Sequence, residues 1–252
     1  MSEIILKVKD LRKVYDDKVA VDGISFEVKK GEIFGILGPN GAGKTTTLEM
    51  IETLRPIDGG SVIVDGLDVA KQPNQVKQII GVQPQAAAFQ DKQKLVEIIE
   101  MFAAAYGEKV NPKKFLEDVQ LGEKANSYAE KLSGGQKQRL SIATALVHNP
   151  RVFFLDEPTT GLDPQARRNL WDLINEVRDR GVTVILTTHY LEEAEILCDR
   201  VAIMDQGKII AMDTPKNLVK QLLKRGFKKE AVVEQANLED VFIDMTGKAL
   251  RD

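Results

Sequence analysis

The chain has 252 residues, a formal net charge of -3 at pH 7 and a single cysteine, Cys198. Its length allows one large α/β domain or a core with a small appendage, and we favour the second. The balance of 35 basic against 38 acidic residues argues against a nucleic-acid partner, which would require an electropositive face. One cysteine excludes an intrachain disulfide and fits a reducing compartment.

No apolar run approaches the roughly 18 residues that a membrane-spanning helix needs. The amino-terminal segment, MSEIILKVKD, has no long apolar signal region. We therefore expect a soluble, cytoplasmic protein. Peripheral attachment to a membrane protein is compatible with this pattern.

Residues 4–28 alternate apolar and polar side chains, which predicts short strands of an antiparallel sheet. Asp65-Gly66 lies between two apolar runs and predicts a tight hairpin that extends this sheet. Tyr15 falls between the first strands. It is either an aromatic side chain on which a nucleotide base stacks or a half-buried tyrosine of the sheet.

The segment GPNGAGKT, here called the phosphate loop (residues 38–45), joins the apolar run 33–37 to a helix-like stretch. Its spacing is typical of loops whose glycines turn backbone N–H groups toward an anion at a helix N-terminus. The expected anion is a nucleoside triphosphate, with Lys44 on its β and γ phosphates and the Thr45 hydroxyl on Mg²⁺. The alternative is a glycine turn that only joins strand to helix. The predicted nucleotide contacts of this segment are Gly38, Asn40, Gly41, Ala42, Gly43, Lys44, Thr45 and Thr46.

A change of pattern at residues 87–131 predicts an inserted helical subdomain, because β-branched runs are few there. Gln85 lies just before it and follows a proline that ends regular structure.

After the insert, Ser133 and Gln136 form a capping-box pattern at the start of a helix. Two glycines in its first turn each weaken a helix by about 1 kcal/mol relative to Ala. They are explained if a ligand closely approaches the backbone, which predicts a second anion site; the alternative is a capped helix with incidental glycines.

The apolar run 152–155 ends in two adjacent carboxylates, Asp156 and Glu157. Ligands bind at the carboxyl ends of parallel strands, and neighbouring strand side chains point in different directions. Asp156 can therefore serve the Mg²⁺ shell while Glu157 polarises a water in line with the γ phosphate. The alternative is a pair of polar residues that only cap the strand.

Asp163-Pro164 predicts the N-cap and first turn of a helix that runs to Gly181. A second apolar strand, 182–186, ends just before His189, which either contacts the γ phosphate or is structural. Beyond it we predict a hairpin around residues 206–207 and a mostly helical tail.

Taken together, these motifs resemble the nucleotide-binding subunits of ABC transporters over nearly the whole chain. LSGGQ followed by LDEPTTGLD is the most specific part, since many P-loop enzymes share GPNGAGKT. The resemblance implies an α/β P-loop NTPase fold with a mostly parallel core sheet, an N-terminal antiparallel β subdomain and an inserted helical subdomain. It also implies an ATP-binding domain over residues 1–220, with the insert at about 87–131, and a C-terminal extension over residues 221–252.

The same resemblance implies individual roles. Glu157 would be the catalytic base, His189 the switch histidine and Gln85 the catalytic link between the metal site and the helical subdomain. The implied metal ligands are Thr45, Gln85 and Asp156. The implied nucleotide contacts outside the phosphate loop are Tyr15, Ser133, Gly134, Gly135, Gln136 and Asp163.

In such proteins the signature segment of one subunit (here residues 133–136) closes over ATP held by the phosphate loop of another. The resemblance therefore implies ATP and Mg²⁺ as cofactors, a second ATP-binding subunit, identical or related, and a separate integral membrane permease. TTHYLEEAE and LEDVFIDMTGKALRD resemble exporter-type subunits of the drug-resistance and ABC-2 class. This implies export, with the subunit itself cytoplasmic and peripheral at the inner face of the cell membrane. No nucleic-acid partner is expected.

Two other classes fit parts of the pattern. A soluble ABC ATPase that acts on nucleic acid or ribosomes usually carries two cassettes or a long inserted coiled coil, whereas this chain has one cassette and a short insert. An ATP-gated assembly scaffold would not need hydrolysis, but Lys44, Glu157 and His189 are all present.

Overall fold

The computed structural model describes residues 3–84, 89 and 92–227. Gln85 and the segment LEDVFIDMTGKALRD lie outside the described residues. The chain divides into two units, Met1–Leu218 and Val219–Asp252.

Ten strands and eight α-helices lie within the described part of the chain. The strands are β1 (Ile4–Tyr15), β2 (Lys18–Lys29), β3 (Ile33–Leu37), β4 (Gly59–Val64), β5 (Leu67–Asp68), β6 (Ile80–Gln83), β7 (Val152–Asp156), β8 (Thr183–Thr188), β9 (Arg200–Asp205) and β10 (Lys208–Asp213). The helices are α1 (Lys44–Ile51), α2 (Pro73–Ile79), α3 (Leu95–Ala105), α4 (Pro112–Asp118), α5 (Gly134–Leu146), α6 (Pro164–Asp179), α7 (Leu191–Leu197) and α8 (Pro215–Lys224).

The larger sheet has six strands in the order β10-β9-β3-β8-β7-β6. All neighbouring pairs are parallel except β10 with β9, which form the predicted hairpin. This confirms the mostly parallel core sheet. Strand β8 lies between β3 and β7, so the three segments that follow these strands meet at one edge of the sheet.

The smaller sheet is antiparallel, in the order β2-β1-β4-β5. The expectation of several short strands over residues 4–28 was wrong, because β1 and β2 are two 12-residue strands. The breaks in their alternation are register shifts rather than turns, and at one of them the N–H of Asp10 donates to Ser25 Oγ, 2.8 Å away. The hairpin at Asp65-Gly66 is confirmed, with left-handed φ values of 46° and 82°.

The predicted helical insert is confirmed by α3 and α4, which pack against each other and against α5. The helix α2 was not predicted, since the sequence pattern assigned no helix to residues 73–79. At its start, α5 has the predicted capping box: Ser133 N–H donates to Gln136 Oε1, and Gln136 N–H donates to Ser133 Oγ. The helix α6 has the predicted Asp163 cap and first-turn proline.

The core lies on both faces of the six-stranded sheet, because alternate residues of its strands point in opposite directions. Phe153 packs with Trp171 and the helical insert on one face. Phe154 packs with Phe34 and α1 residues on the other. Among the described residues, no helix is long and apolar enough to cross a membrane.

Phe153→Ala is expected to lower the free energy of unfolding by about 3 to 5 kcal/mol, because the deleted ring is fully buried and leaves a cavity in a central strand. Urea unfolding measures this. Ile210→Ala, on the exposed face of the edge strand β10, is the matched control and should change stability by less than about 0.5 kcal/mol. Similar losses for both variants would contradict this description of the core.

Candidate nucleotide-binding and hydrolysis site

The phosphate loop is enclosed by backbone atoms of neighbouring strands. A Cβ at Gly38 would lie 2.1 Å from the carbonyl oxygen of Met204, and a Cβ at Gly43 would lie 2.4 Å from that of Ala20. Gly43 also has a left-handed φ of 101°. The packing of this chain therefore requires glycine at both positions.

The loop leads directly into α1, whose N-cap residue is Gly43. Glycine has no side chain to cap the helix, so the first-turn N–H groups of Lys44, Thr45 and Thr46 have no intrahelical acceptor. These groups carry the positive end of the helix dipole. The arrangement fits a phosphate anion, as the sequence predicts.

Lys44 is only 4% exposed. Its ammonium group donates to the carbonyl oxygens of Gly38 at 2.8 Å and Pro39 at 3.1 Å. It also lies 3.2 Å from Glu157 Oε1. The phosphate loop at the end of β3 is thus joined by an ion pair to the acidic residue that follows β7.

Thr45 and Asp156 come together as predicted, with the Thr45 hydroxyl donating to Asp156 Oδ1 at 3.2 Å. Thr187, on β8, also donates to Asp156 Oδ1. Hydroxyl and carboxylate oxygens are the ligands that Mg²⁺ prefers. These side chains therefore fit a Mg²⁺ site. Gln85, the third predicted ligand, lies outside the described residues.

Thr187 is a site residue that the sequence analysis missed. It lies directly opposite Asp156 in the β7–β8 register, and its Oγ1 also accepts from the N–H of Glu157 at 3.0 Å. A signal was present, since Thr187 is two residues before His189 at the end of a predicted strand and so points to the same face.

Glu157 has a left-handed φ of 47°, a conformation that non-glycine residues adopt only at a cost. This turn aims its side chain between Lys44 and His189: Oε1 faces Lys44, and Oε2 lies 3.1 Å from His189 Nδ1. The predicted base and the predicted switch histidine are therefore in direct contact.

Burial by itself would raise the pKa of Glu157. The hydrogen bond and charge of Lys44, with those of His189, outweigh burial and hold the pKa below its ordinary value. Glu157 is therefore ionised at neutral pH, which is the state a general base requires.

A cavity of about 420 Å³ lies over the phosphate loop, and both Tyr15 and Glu157 line it. Tyr15 is 36% exposed, and Lys13 Nζ and Arg55 Cζ lie 5.4 Å and 5.6 Å from the centroid of its ring. An exposed ring at this place fits the predicted stacking on a base. The cavity also includes Lys18 and Ala20, which the sequence analysis did not single out because β2 carries no recognisable motif.

The signature segment does not line this cavity. Ser133 and Gly134 are exposed at the start of α5. Asp163 is likewise exposed, and its carboxylate accepts from the N–H of Ala166 at 2.8 Å as the cap of α6. The structure thus brings the phosphate loop, the two carboxylates and His189 together, but not these residues.

A phosphate loop after one parallel strand, with an acidic pair at the end of another, defines a P-loop NTPase. A family model described as ABC transporter matches residues 21–160. The linearmycin resistance ATP-binding protein of Bacillus subtilis (strain 168) is 43% identical over 223 residues, covering 86% of this chain and 72% of that protein. The Nod factor export ATP-binding protein I of Burkholderia pseudomallei (strain 1710b) is 42% identical over 224 residues, covering 87% of this chain and 74% of that protein.

A solved structure of an ATP-binding subunit of an ABC transporter is 29% identical, with a TM-score of 0.78, over 96% of this chain and 99% of that one. The chain therefore belongs to the ABC transporter family and is an ATP-binding ATPase of that family. The predicted fold class and the predicted ATPase activity are confirmed, and the roles of the individual site residues stay predictions.

Glu52, which follows α1, is a buried acid close to this site. Burial raises its pKa to about 8, and the negative charges of Asp156 and Glu49 add to the effect. Between its ordinary pKa of 4.5 and this value, the folded chain holds a proton at Glu52 that the unfolded chain has released. Glu52 therefore makes the free energy of unfolding fall as pH rises through this window.

Glu52→Gln is expected to remove this dependence, because an amide does not ionise. Relative to the parental chain, the variant should gain stability between pH 5 and pH 8. Urea unfolding at three pH values across this range measures the gain. Glu195→Gln, an exposed acid on α7, is the control, and its difference from the parental chain should stay constant. If the free energy of unfolding varied with pH in the same way for Glu52→Gln and for the parental chain, Glu52 would be ionised in the folded protein.

Proposed function

We propose that this chain is the ATP-hydrolysing subunit of an exporter, acting through ATP-dependent association with a second ATP-binding subunit and a separate integral membrane permease. The observation that carries the catalytic part is the convergence of Lys44, Glu157 and His189 on one side of the phosphate loop. The export part is supported by relatives named for drug resistance and for Nod factor export.

For hydrolysis, the first-turn N–H groups of α1 bind the phosphates and Lys44 turns from Glu157 to the β and γ oxygens. Thr45 and Asp156 would hold Mg²⁺, which neutralises charge on the phosphates when bound. Glu157 accepts the proton of the attacking water. His189, in contact with Glu157 Oε2, orients that carboxylate and contacts the γ phosphate.

A second subunit is supported by Gly134 of the signature segment, whereas a Cβ at Gly135 would already lie 3.1 Å from Ala166 Cβ in this chain. A Cβ at Gly134 would have no heavy atom within 4 Å, and the backbone of Gly134 is not left-handed. The packing of this chain therefore gives no reason for glycine there, although glycine weakens a helix by about 1 kcal/mol relative to Ala. Close approach of a nucleotide held by another subunit supplies the reason, so two chains arranged head to tail would complete two sites.

The location follows from the proposed partner. A subunit that drives a permease with ATP would act at the inner face of the cell membrane, attached to the permease. Substrate choice would then belong to the permease. The alternative of a soluble ATPase on nucleic acid or ribosomes is less well supported, because the relatives described above are named as resistance and export proteins.

Glu157→Gln is expected to slow ATP hydrolysis by roughly 10² to 10⁴, because the amide cannot accept the proton of the attacking water. ATP should still bind, since Lys44 and the loop N–H groups are unchanged. Loss of a negative charge beside the γ phosphate should also favour the ATP-bound assembly. Phosphate release and sizing with and without ATP and Mg²⁺ measure both effects. Parental turnover would reject Glu157 as the base, and a monomer with bound ATP would reject the dimer of identical chains.

Lys44→Ala and Ser133→Arg test the shared site by complementation. The first should lose ATP binding, because its phosphate loop lacks the cation, and the second should bind ATP but fail to close on the partner's nucleotide. Each variant alone should be inactive, yet a mixture should recover activity, because the loop of one chain meets the intact signature segment of the other. Thermal unfolding checks that both variants are folded. No recovery in the mixture, or full activity of Ser133→Arg alone, would contradict the head-to-tail arrangement.

A further inference from the structure

The helices α6 and α7 are joined by a set of polar contacts close to the site. Arg167 on α6 stacks its guanidinium over the ring of Tyr190, the N-cap residue of α7, at 4.8 Å from the centroid. One turn further along α6, Trp171 Nε1 donates to Glu193 Oε1 at 3.1 Å. We call these four residues the α6–α7 clamp.

Glu193 is the unusual member of the clamp. It is 0% exposed, and its Oε2 has no hydrogen-bond partner among the described protein atoms. Arg167 Nε is also buried without a partner in the described part of the chain. Burial of a carboxyl group with one unpaired oxygen is costly, and apolar side chains would hold two helices together without this cost. A buried polar atom without a partner is uncommon in folded proteins and needs an explanation.

The clamp leads directly to the switch histidine. The His189 ring lies 4.1 Å from the Tyr190 ring, between centroids, and is tilted by 40°. His189 Nδ1 also faces Glu157 Oε2. Arg167 therefore contacts the Tyr190 ring, which in turn packs against His189. Trp171 holds α7, the helix that follows His189.

The opposite end of the clamp begins at Asp163. Asp163 caps α6, and Arg167 is four residues further on, so both belong to its first turns. A movement of α6 at its exposed N-terminus would be transmitted through Arg167 and Trp171 to α7. We propose that the α6–α7 clamp positions His189, so that the orientation of the switch histidine follows the position of α6.

This proposal rests on the proposed function, because it requires His189 to act in hydrolysis. Arg167 and Trp171 are positioning residues, since neither touches the reacting groups. Their removal should lower kcat while leaving the KM for ATP nearly unchanged, because the phosphate loop is intact. The effect should also disappear when His189 is absent, since the clamp acts through His189.

The experiment is a double-mutant cycle on the full chain, with kcat and KM for ATP measured in the presence of Mg²⁺. Arg167→Gln and Trp171→Phe should each lower kcat by up to about 10²-fold, as expected for a misplaced catalytic group. In the His189→Ala background, neither should lower it further. Arg168→Gln and Glu195→Gln are matched controls on exposed positions of the same helices and should leave kcat unchanged.

Thermal unfolding separates positioning from loss of structure. If Trp171→Phe does not fold, Arg167→Gln still decides the matter, because Arg167 is at the edge of the clamp and retains 22% side-chain exposure. An equal fall in kcat with and without His189 would overturn the clamp proposal alone. A parental chain without ATP hydrolysis would overturn the proposed function together with the clamp.

Discussion

The site depends on the buried ion pair between Lys44 and Glu157. Their side chains are 4% and 9% exposed, and each charge would be costly to bury without the other. The pair forms only because β3 and β7 flank β8 in the sheet, which places the phosphate loop and the acidic pair at one edge. The ion pair also holds Glu157 in its left-handed backbone conformation, which is strained because this residue is not a glycine. Strand order, backbone strain and catalytic geometry are therefore parts of one arrangement.

The same ion pair gives Glu157 two states. Facing Lys44, the carboxylate is a weak base, because the cation holds its pKa below the ordinary value. The γ phosphate competes for that cation, and once Lys44 has turned to it, only His189 still opposes the effect of burial, so the pKa of Glu157 rises. Under the proposed function, ATP binding therefore strengthens the base that hydrolyses it.

Much of this arrangement was predictable from sequence, because the decisive residues lie at fixed distances from apolar strands. The run 33–37 and the phosphate loop predicted strand, loop and helix start, and Asp156 with Glu157 marked the end of a second strand. Thr187 and Lys18 were missed, since a hydroxyl or an amine on a strand has no motif until the partner strands are known. The long β1 and β2 were missed for a related reason: bulges interrupt their alternation as turns would.

Glycine is required for different reasons in the phosphate loop, which precedes α1, and at Gly134, which starts α5. At Gly38 and Gly43, neighbouring backbone atoms of the same chain leave no room for a side chain. At Gly134 this chain leaves open space, so the weaker helix start brings no benefit within the chain. Under the proposed function, glycine is favourable there because a nucleotide on another subunit accepts hydrogen bonds from the exposed N–H groups. ATP would then stabilise the assembled form by mass action, since it binds both halves only when they are together.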